Sequence, residues 1–301
     1  MTRSLRSRLS EPGAVVALGA HDGLTARIAE RSGIEAIYHG GYATAAHHFG
    51  LPDVGLVGRA EVVESVRRVR AATELPIVVD ADTGYGSEAG VWLTVRELEA
   101  VGADAIQIED QVSPKRCGHM EGKEVIPAEE MAIKVRAAVA ARRSEETLII
   151  ARSDALQVTG LEDTIARCNA YADAGADLLF VEAPRDEREM EQVCKASPLP
   201  QMANLVEGGD TPLLDPKALE ALGYRIAAYP LTLLSVATRA MQRALEALRR
   251  GDRPADVLPF AELRALVGFD DYDAERLRYA ETPADPQVSR SEPQASEDHK
   301  G

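Results

Sequence analysis

The chain has 301 residues, 45% apolar and 28% charged, an ordinary globular composition with apolar mass enough for a sizeable core. Its 34 Lys and Arg against 49 Asp and Glu give a formal net charge of −15, which disfavours nucleic acid and anionic membranes and points to small-molecule partners. No apolar run suits a membrane span or a signal segment, and Cys117, Cys168 and Cys194 lack disulfide or zinc spacing, so the expectation is a reduced, cytoplasmic protein.

Short apolar runs alternate with amphipathic stretches. In chain order, strands are predicted at 14–18, 35–39, 75–80, 104–109, 147–151, 177–182, 200–204 and 225–229. Each is apolar nearly throughout, as expected where helices cover one face and a packed interior the other. Helices are predicted at 59–73, 87–101, 127–143, 161–174 and 231–250, with Ser87 before one and Gly102 and Gly175 just beyond two others. This rhythm predicts an α/β fold, a (β/α)8 TIM barrel in one domain over 1–280. The polar, Gly-punctuated stretch 111–126 reads as a lid. Further helices are expected at 260–267 and 272–280. The acidic tail 281–301 has Val288 as its single large aliphatic residue and is expected to be disordered.

A barrel of this kind carries its active site at the C-terminal strand ends. Those ends present Gly40, Gly41 and Tyr42, then Asp80 and Asp82, Glu109 and Asp110, Arg152 and Asp154, Glu182, Asn204 and Pro230. Asp80, Asp82 and Glu109, joined by Asp53, would repel one another unless a cation neutralised them. Oxygen donors without His or Cys suit Mg²⁺, with Mn²⁺ as the alternative. Arg152 and Asn204 are suited to hold a substrate carboxylate. Cys117 stands in the lid beside Lys115, Arg116 and His119, cations that would lower its pKa. Cys168 and Cys194 are expected to be inert. The GYGSEAG run at 84–90 has the wrong spacing for a dinucleotide loop. The His47–His48 pair, lacking a carboxylate at ligand spacing, is assigned to a helix surface, and Trp92 to packing.

The segments DADTGYG, IEDQVSPKRCGH, ARSDAL, LFVEA, MANLVEGGDTP and AAYPL occur in the order found in the isocitrate lyase and phosphoenolpyruvate mutase superfamily. The chain resembles its 2-methylisocitrate lyase branch most, from about residue 12 to about residue 250, and KRCGH is the most specific element. The resemblance implies that Asp80 meets Mg²⁺ directly and that Asp53, Asp82 and Glu109 do so largely through water. It implies substrate contacts from Gly40, Gly41, the Tyr42 amide, His119, Arg152, Glu182, Asn204, Thr211, Pro212 and Pro230. It makes Cys117 the catalytic thiol and Tyr38 a candidate base. The implied reaction is retro-aldol cleavage of 2-methylisocitrate to pyruvate and succinate, with Cys117 protonating the leaving carbanion. A homotetramer swapping helices of segment 251–280 is also implied.

Three positions depart from the branch. Gly40 replaces a Ser, Met120 in HMEGK replaces an Arg, and Tyr85 replaces a Phe. Losing a hydroxyl and a cation leaves dicarboxylates open as substrates, namely 2,3-dimethylmalate, other 2-alkylmalates or oxaloacetate. The thiol-bearing lid argues against a phosphonate mutase, and the complete residue set against a non-catalytic binding barrel.

Overall fold

The computed structural model describes residues 4–280, so the expectation for the tail 281–301 lies outside the described residues. These residues divide into two compact units, one ending at Ala255 and the other starting at Asp256.

In the first unit, β1 (Val15–Gly19), β2 (Ala36–His39), β3 (Ile77–Asp80), β4 (Ala105–Glu109), β5 (Leu148–Ser153), β6 (Leu178–Val181), β7 (Gln201–Asn204) and β8 (Tyr224–Tyr229) close in sequence order into a barrel. All neighbours are parallel, and β1 pairs with β8 through Val15 opposite Ile226. The eight predicted strands are all present, shifted by one or two residues at their ends. β5 runs two residues further than predicted and takes in Arg152 and Ser153.

Around the barrel lie α1 (Leu5–Leu9), α2 (Gly23–Arg31), α3 (Gly41–Thr44), α4 (Arg59–Arg70), α5 (Glu88–Ala100), α6 (Ala128–Ala141), α7 (Leu161–Asp173), α8 (Glu187–Ala196), α9 (Pro216–Leu222) and α10 (Thr232–Arg249). The second unit holds α11 (Phe260–Leu266) and α12 (Phe269–Ala280), the latter starting three residues before the predicted 272. Neither α2 nor α8 nor α9 was anticipated, although each opens on an Asp whose side chain caps the backbone: Asp22, Asp186 and Asp215. α3 runs into a π-helical turn, Ala45–Phe49, which lacks the usual apolar period and so leaves no pattern to read. Among the described residues, no helix is long and apolar enough to cross a membrane.

Strand alternation sorts the core into layers. Val15, Ala17, Ala36, Val78, Ala105, Ile150, Phe180, Met202, Ile226 and Ala228 form one buried cluster. Their strand neighbours Ile37, Val79, Ile106, Ile149 and Leu179 belong to another, shared with α4, α5 and α6. Two residues beyond the first cluster on their strands come Tyr38, Asp80, Gln107, Arg152, Glu182, Asn204 and Pro230. A period of two therefore turns these polar side chains to the same side as the first cluster, at the C-terminal mouth. Trp92 is a correction: it is 44% exposed on α5, with the Arg96 guanidinium 5.3 Å from its ring, because its position falls on the outer helix face.

Candidate active site

At the barrel mouth, one cavity of about 50 Å³ is lined by Tyr38, Gly40, Gly41, Tyr42, Asp53, Asp80, Cys117, His119, Arg152, Glu182, Asn204 and Pro230. Twelve of the sequence-predicted residues thus meet in one place. Ala43, Gly118, Val206 and Leu231 complete the wall and had not been singled out. Asp82 and Glu109 lie behind it. Thr211 is buried with an unpartnered hydroxyl, but neither it nor Pro212 reaches the cavity wall.

The acids converge as anticipated. A methyl-sized probe on Gly41 would stand 3.2 Å from Asp82 Oδ1, 3.5 Å from Asp53 Oδ1 and 3.6 Å from Asp80 Oδ2, so three carboxylates face one point. A side chain at Gly41 would point among these carboxylates. Asp80 is held in place by its Oδ1, which accepts from the Asp82 amide and from Gln107 Nε2, each at 3.1 Å.

The premise that only a metal could neutralise this ring needs correction. Lys115, reaching in from the lid, is paired with both Asp53 and Asp82, its nitrogen 2.8 Å from Asp82 Oδ1. The sequence placed Lys115 beside the thiol; the fold places its ammonium among the acids. Arg152 Nε also lies 3.4 Å from Glu109 Oε2, but Lys115 and Arg152 together still face more carboxylates than they can neutralise, since Arg152 is shared with Asp154 and Glu182. Asp82 Oδ1 has Lys115 as its partner, whereas Glu109 Oε1 is buried without a hydrogen bond. Burial pushes the Asp82 carboxyl up to about 6 and holds Glu109 well above the usual carboxylate range. The orphaned Glu109 oxygen and the excess of carboxylates fit a hard divalent cation of the Mg²⁺ kind, which Asp80 would hold with Asp53, Asp82 and Glu109 around it.

Arg152 is 5% exposed and already engaged. Its Nε and Nη2 fork Asp154 at 2.9 and 3.0 Å, Nη2 also meets Glu182 Oε2 at 3.0 Å, and the guanidinium stacks 5.1 Å from the Phe180 ring. The fork expected for substrate is thus bound to Asp154, which the sequence reading had noted only as a strand-end acid. Glu182 in turn accepts from Asn204 Nδ2 at 3.2 Å, and His119 Nε2 lies 3.5 Å from Glu182 Oε1.

Cys117 is also corrected. Its basic neighbours do not lower the thiol pKa; burial in the closed lid raises it. Lys115 is turned to the acids, and Arg116 is anchored to the lid through its backbone and Gln111. A thiol that keeps its proton is a proton donor, which is the role assigned to it. Gly118 is the position where the lid touches the floor: a Cβ there would stand 2.2 Å from Arg152 Nη2 and 2.6 Å from Glu182 Oε2. Lys123 fastens the lid from behind, bonding the Gly118 carbonyl and lying 3.3 Å from Asp154 Oδ1. Tyr38 donates to Gln107 Oε1 at 3.1 Å, and burial beside Asp80 raises its pKa well above that of a free phenol. At neutral pH it is a hydrogen-bonding phenol and not a ready base.

The other cysteines are unreactive as expected, both raised by burial to about 12. The His47–His48 pair does lie on a helical turn, with His47 exposed, but its expected lack of a carboxylate needs correction. A carboxylate does face the pair, since His47 Nε2 lies 3.0 Å from Asp22 Oδ2, a residue 25 positions away that the fold brings alongside.

The family described as phosphoenolpyruvate phosphomutase matches residues 5–249. The chain is 44% identical over 270 residues to a 2,3-dimethylmalate lyase of Eubacterium barkeri, covering 88% of this chain and 93% of that one. It is 42% identical over 276 residues to a probable 2-methylisocitrate lyase of Corynebacterium glutamicum, covering 90% of each. The solved structure of an oxaloacetate acetylhydrolase in complex with 3,3-difluorooxalacetate superimposes with a TM-score of 0.89 at 30% identity, over 94% of this chain and 98% of that one. The chain therefore belongs to the isocitrate lyase and phosphoenolpyruvate mutase superfamily and is an enzyme of its carbon–carbon lyase kind.

Proposed function

We propose that the protein cleaves the C2–C3 bond of a 2-hydroxy-2-methyl dicarboxylate, 2,3-dimethylmalate or a close 2-alkylmalate, in a Mg²⁺-dependent reaction. The observation that carries this reading is the Cys117 thiol of the lid standing on one cavity wall with the acids Asp53 and Asp80. Bound Mg²⁺ would polarise the oxygens of the 2-hydroxy acid and offset charge developing there. The Tyr42 amide, at the start of α3, is suited to one substrate carboxylate, whereas the Gly41 amide donates to Asp80 Oδ2 at 3.5 Å. Tyr38 Oη, on the cavity wall, is suited to hydrogen-bond the C2 hydroxyl. The C2 hydroxyl proton passes to a carboxylate of the wall, Glu182, as C2–C3 breaks, leaving pyruvate from that half and a carboxylate-stabilised carbanion from the other. Cys117 Sγ delivers its proton to that carbanion, while the lid excludes water that would protonate it without control.

The choice among substrates turns on the group at C3. Methylisocitrate carries a third carboxylate there, and 2,3-dimethylmalate a methyl. Supporting the smaller substrate, Val206, Pro230, Leu231 and Ala43 give the cavity an apolar side. Arg152, the permanent cation on its wall, already meets three carboxylates, those of Glu109, Asp154 and Glu182. Gly40 offers no hydroxyl, and Met120 is 51% exposed and absent from the wall. His119 favours methylisocitrate as the second reading, because its Nδ1 accepts from the Asp210 amide and its Nε2, on the cavity side 3.5 Å from Glu182 Oε1, is a donor for a further carboxylate. Exposed apolar side chains on α10 (Val236, Leu245) and on α12 (Tyr272, Leu277) support assembly as a homotetramer.

The test is a substrate panel with Mg²⁺, followed by proton NMR. Pyruvate with propionate identifies dimethylmalate cleavage, and pyruvate with succinate identifies methylisocitrate cleavage. Oxalate with acetate from oxaloacetate, and no pyruvate from either malate, would overturn the reading. Asp80→Asn should abolish all Mg²⁺-dependent turnover.

A further inference from the structure

A separate group of donors lies beyond the end of β1. His21 follows that strand, Asp22 caps α2, and His47 sits in the π turn after α3. One donor atom from each of the three lies within 4.8 Å of the others. Asp22 divides its oxygens: Oδ1 accepts from the Thr25 amide at 2.7 Å, and Oδ2 faces His47 Nε2 at 3.0 Å and His21 Nε2 at 4.0 Å. The His21 and His47 rings are 4.2 Å apart between centroids.

His21 supplies an independent sign of a missing partner. It is 3% exposed and its Nδ1 has no hydrogen bond, while its other ring nitrogen, Nε2, lies 4.0 Å from Asp22 Oδ2, too far for one. A buried imidazole left unpaired is costly, on the order of 1–3 kcal/mol, and natural proteins rarely leave one so. The surroundings are fixed rather than loose, since His48 Nε2 meets the His21 carbonyl at 2.6 Å. π turns concentrate at functional positions, and this one turns both His47 and His48 toward residues 21 and 22.

We propose that His21, Asp22 and His47 bind a transition-metal dication of the Zn²⁺ class, at a site separate from the acid ring. Two imidazoles and a carboxylate suit Zn²⁺, whereas Mg²⁺ prefers an all-oxygen shell. Water would complete the tetrahedron, and His47, 39% exposed at its side chain, leaves an entry path. An ion there would tie the end of β1 to the turn following Gly41 and Tyr42. The site would therefore hold one wall of the substrate cavity without touching substrate. It does not depend on the identity of that substrate.

The experiment titrates Zn²⁺ by calorimetry into the full chain saturated with Mg²⁺, using wild type, His47→Ala and Asp22→Asn. Asparagine keeps a capping oxygen for α2, and circular dichroism checks that both variants fold. Wild type should bind an equivalent of Zn²⁺ that both variants lack, while any Zn²⁺ taken by Cys117 or the acids persists in all three. A Zn²⁺-soaked wild-type crystal should show an anomalous peak about 2.0–2.2 Å from the three donors. Identical isotherms in the three proteins, or no anomalous peak at the triad, would overturn the proposal.

Discussion

The Lys115 ammonium stands 2.8 Å from Asp82 Oδ1, inside the acid ring of the barrel mouth and 5% exposed. The lid thereby reports on the charge of the site it covers. Removing a buried partner leaves an uncompensated charge, at a cost of about 3–5 kcal/mol. Lys115→Met should lower the melting temperature in EDTA, and added Mg²⁺ should recover more of the loss than it adds to wild type. Equal Mg²⁺ responses in the two proteins would mean that the ammonium and the ion do not share the site.

Cys117→Ser should leave the fold and Mg²⁺ binding intact and lower turnover by at least about 10², the scale of a positioned proton donor. Because burial raises the thiol pKa, alkylation of Cys117 by iodoacetamide at pH 7 should be slower than that of a free thiol. Rapid alkylation at neutral pH would mean that the lid opens or that the thiol is ionised.

Gly118→Ala tests the close approach of lid to floor. The added methyl would meet Arg152 Nη2 at 2.2 Å, so the lid must back away. Displacement on this scale should lower kcat/KM by roughly 10²-fold, because the donor is misplaced. The melting temperature should change little, since the barrel beneath is untouched. Wild-type kinetics in this variant would show that the lid works from another position.

His39 carries a pH dependence of stability. It is 1% exposed, its Nδ1 is unpartnered, and burial lowers its pKa from 6.5 to about 4. A base whose folded pKa is depressed contributes stability that is present above about pH 6.5 and is lost as pH falls toward about 4. The shift is worth about 3 kcal/mol. Melting curves of His39→Gln at pH 7 and pH 4.5 should differ less than those of wild type. An equal drop in both would exclude His39 as a contributor.

The sequence carried the barrel and most of its mouth because both are periodic. Apolar runs bounded by Gly and acids mark β1 to β8, and the same period of two that buries Val78 and Phe180 brings Asp80 and Glu182 to the rim. The failures share a cause, which is pairing across long separations. Lys115 meets Asp53 across 62 positions, and Asp22 meets His47 across 25, contacts that no local pattern encodes. The Cys117 pKa was misjudged for a related reason: neighbouring charges are visible in a sequence, whereas burial of the thiol under its own lid is not. The fork of Arg152 to Asp154 was readable in principle, since two residues of one strand end carry opposite charge.

The most direct test of the mechanism is cleavage of 2,3-dimethylmalate in D₂O with Mg²⁺, reading the propionate by NMR and by its optical configuration. A lid-borne thiol that delivers one proton from one side predicts a single deuterium at C2 in a single configuration. Racemic monodeuterated propionate would mean that solvent reaches the carbanion freely, and would contradict the role given to Cys117.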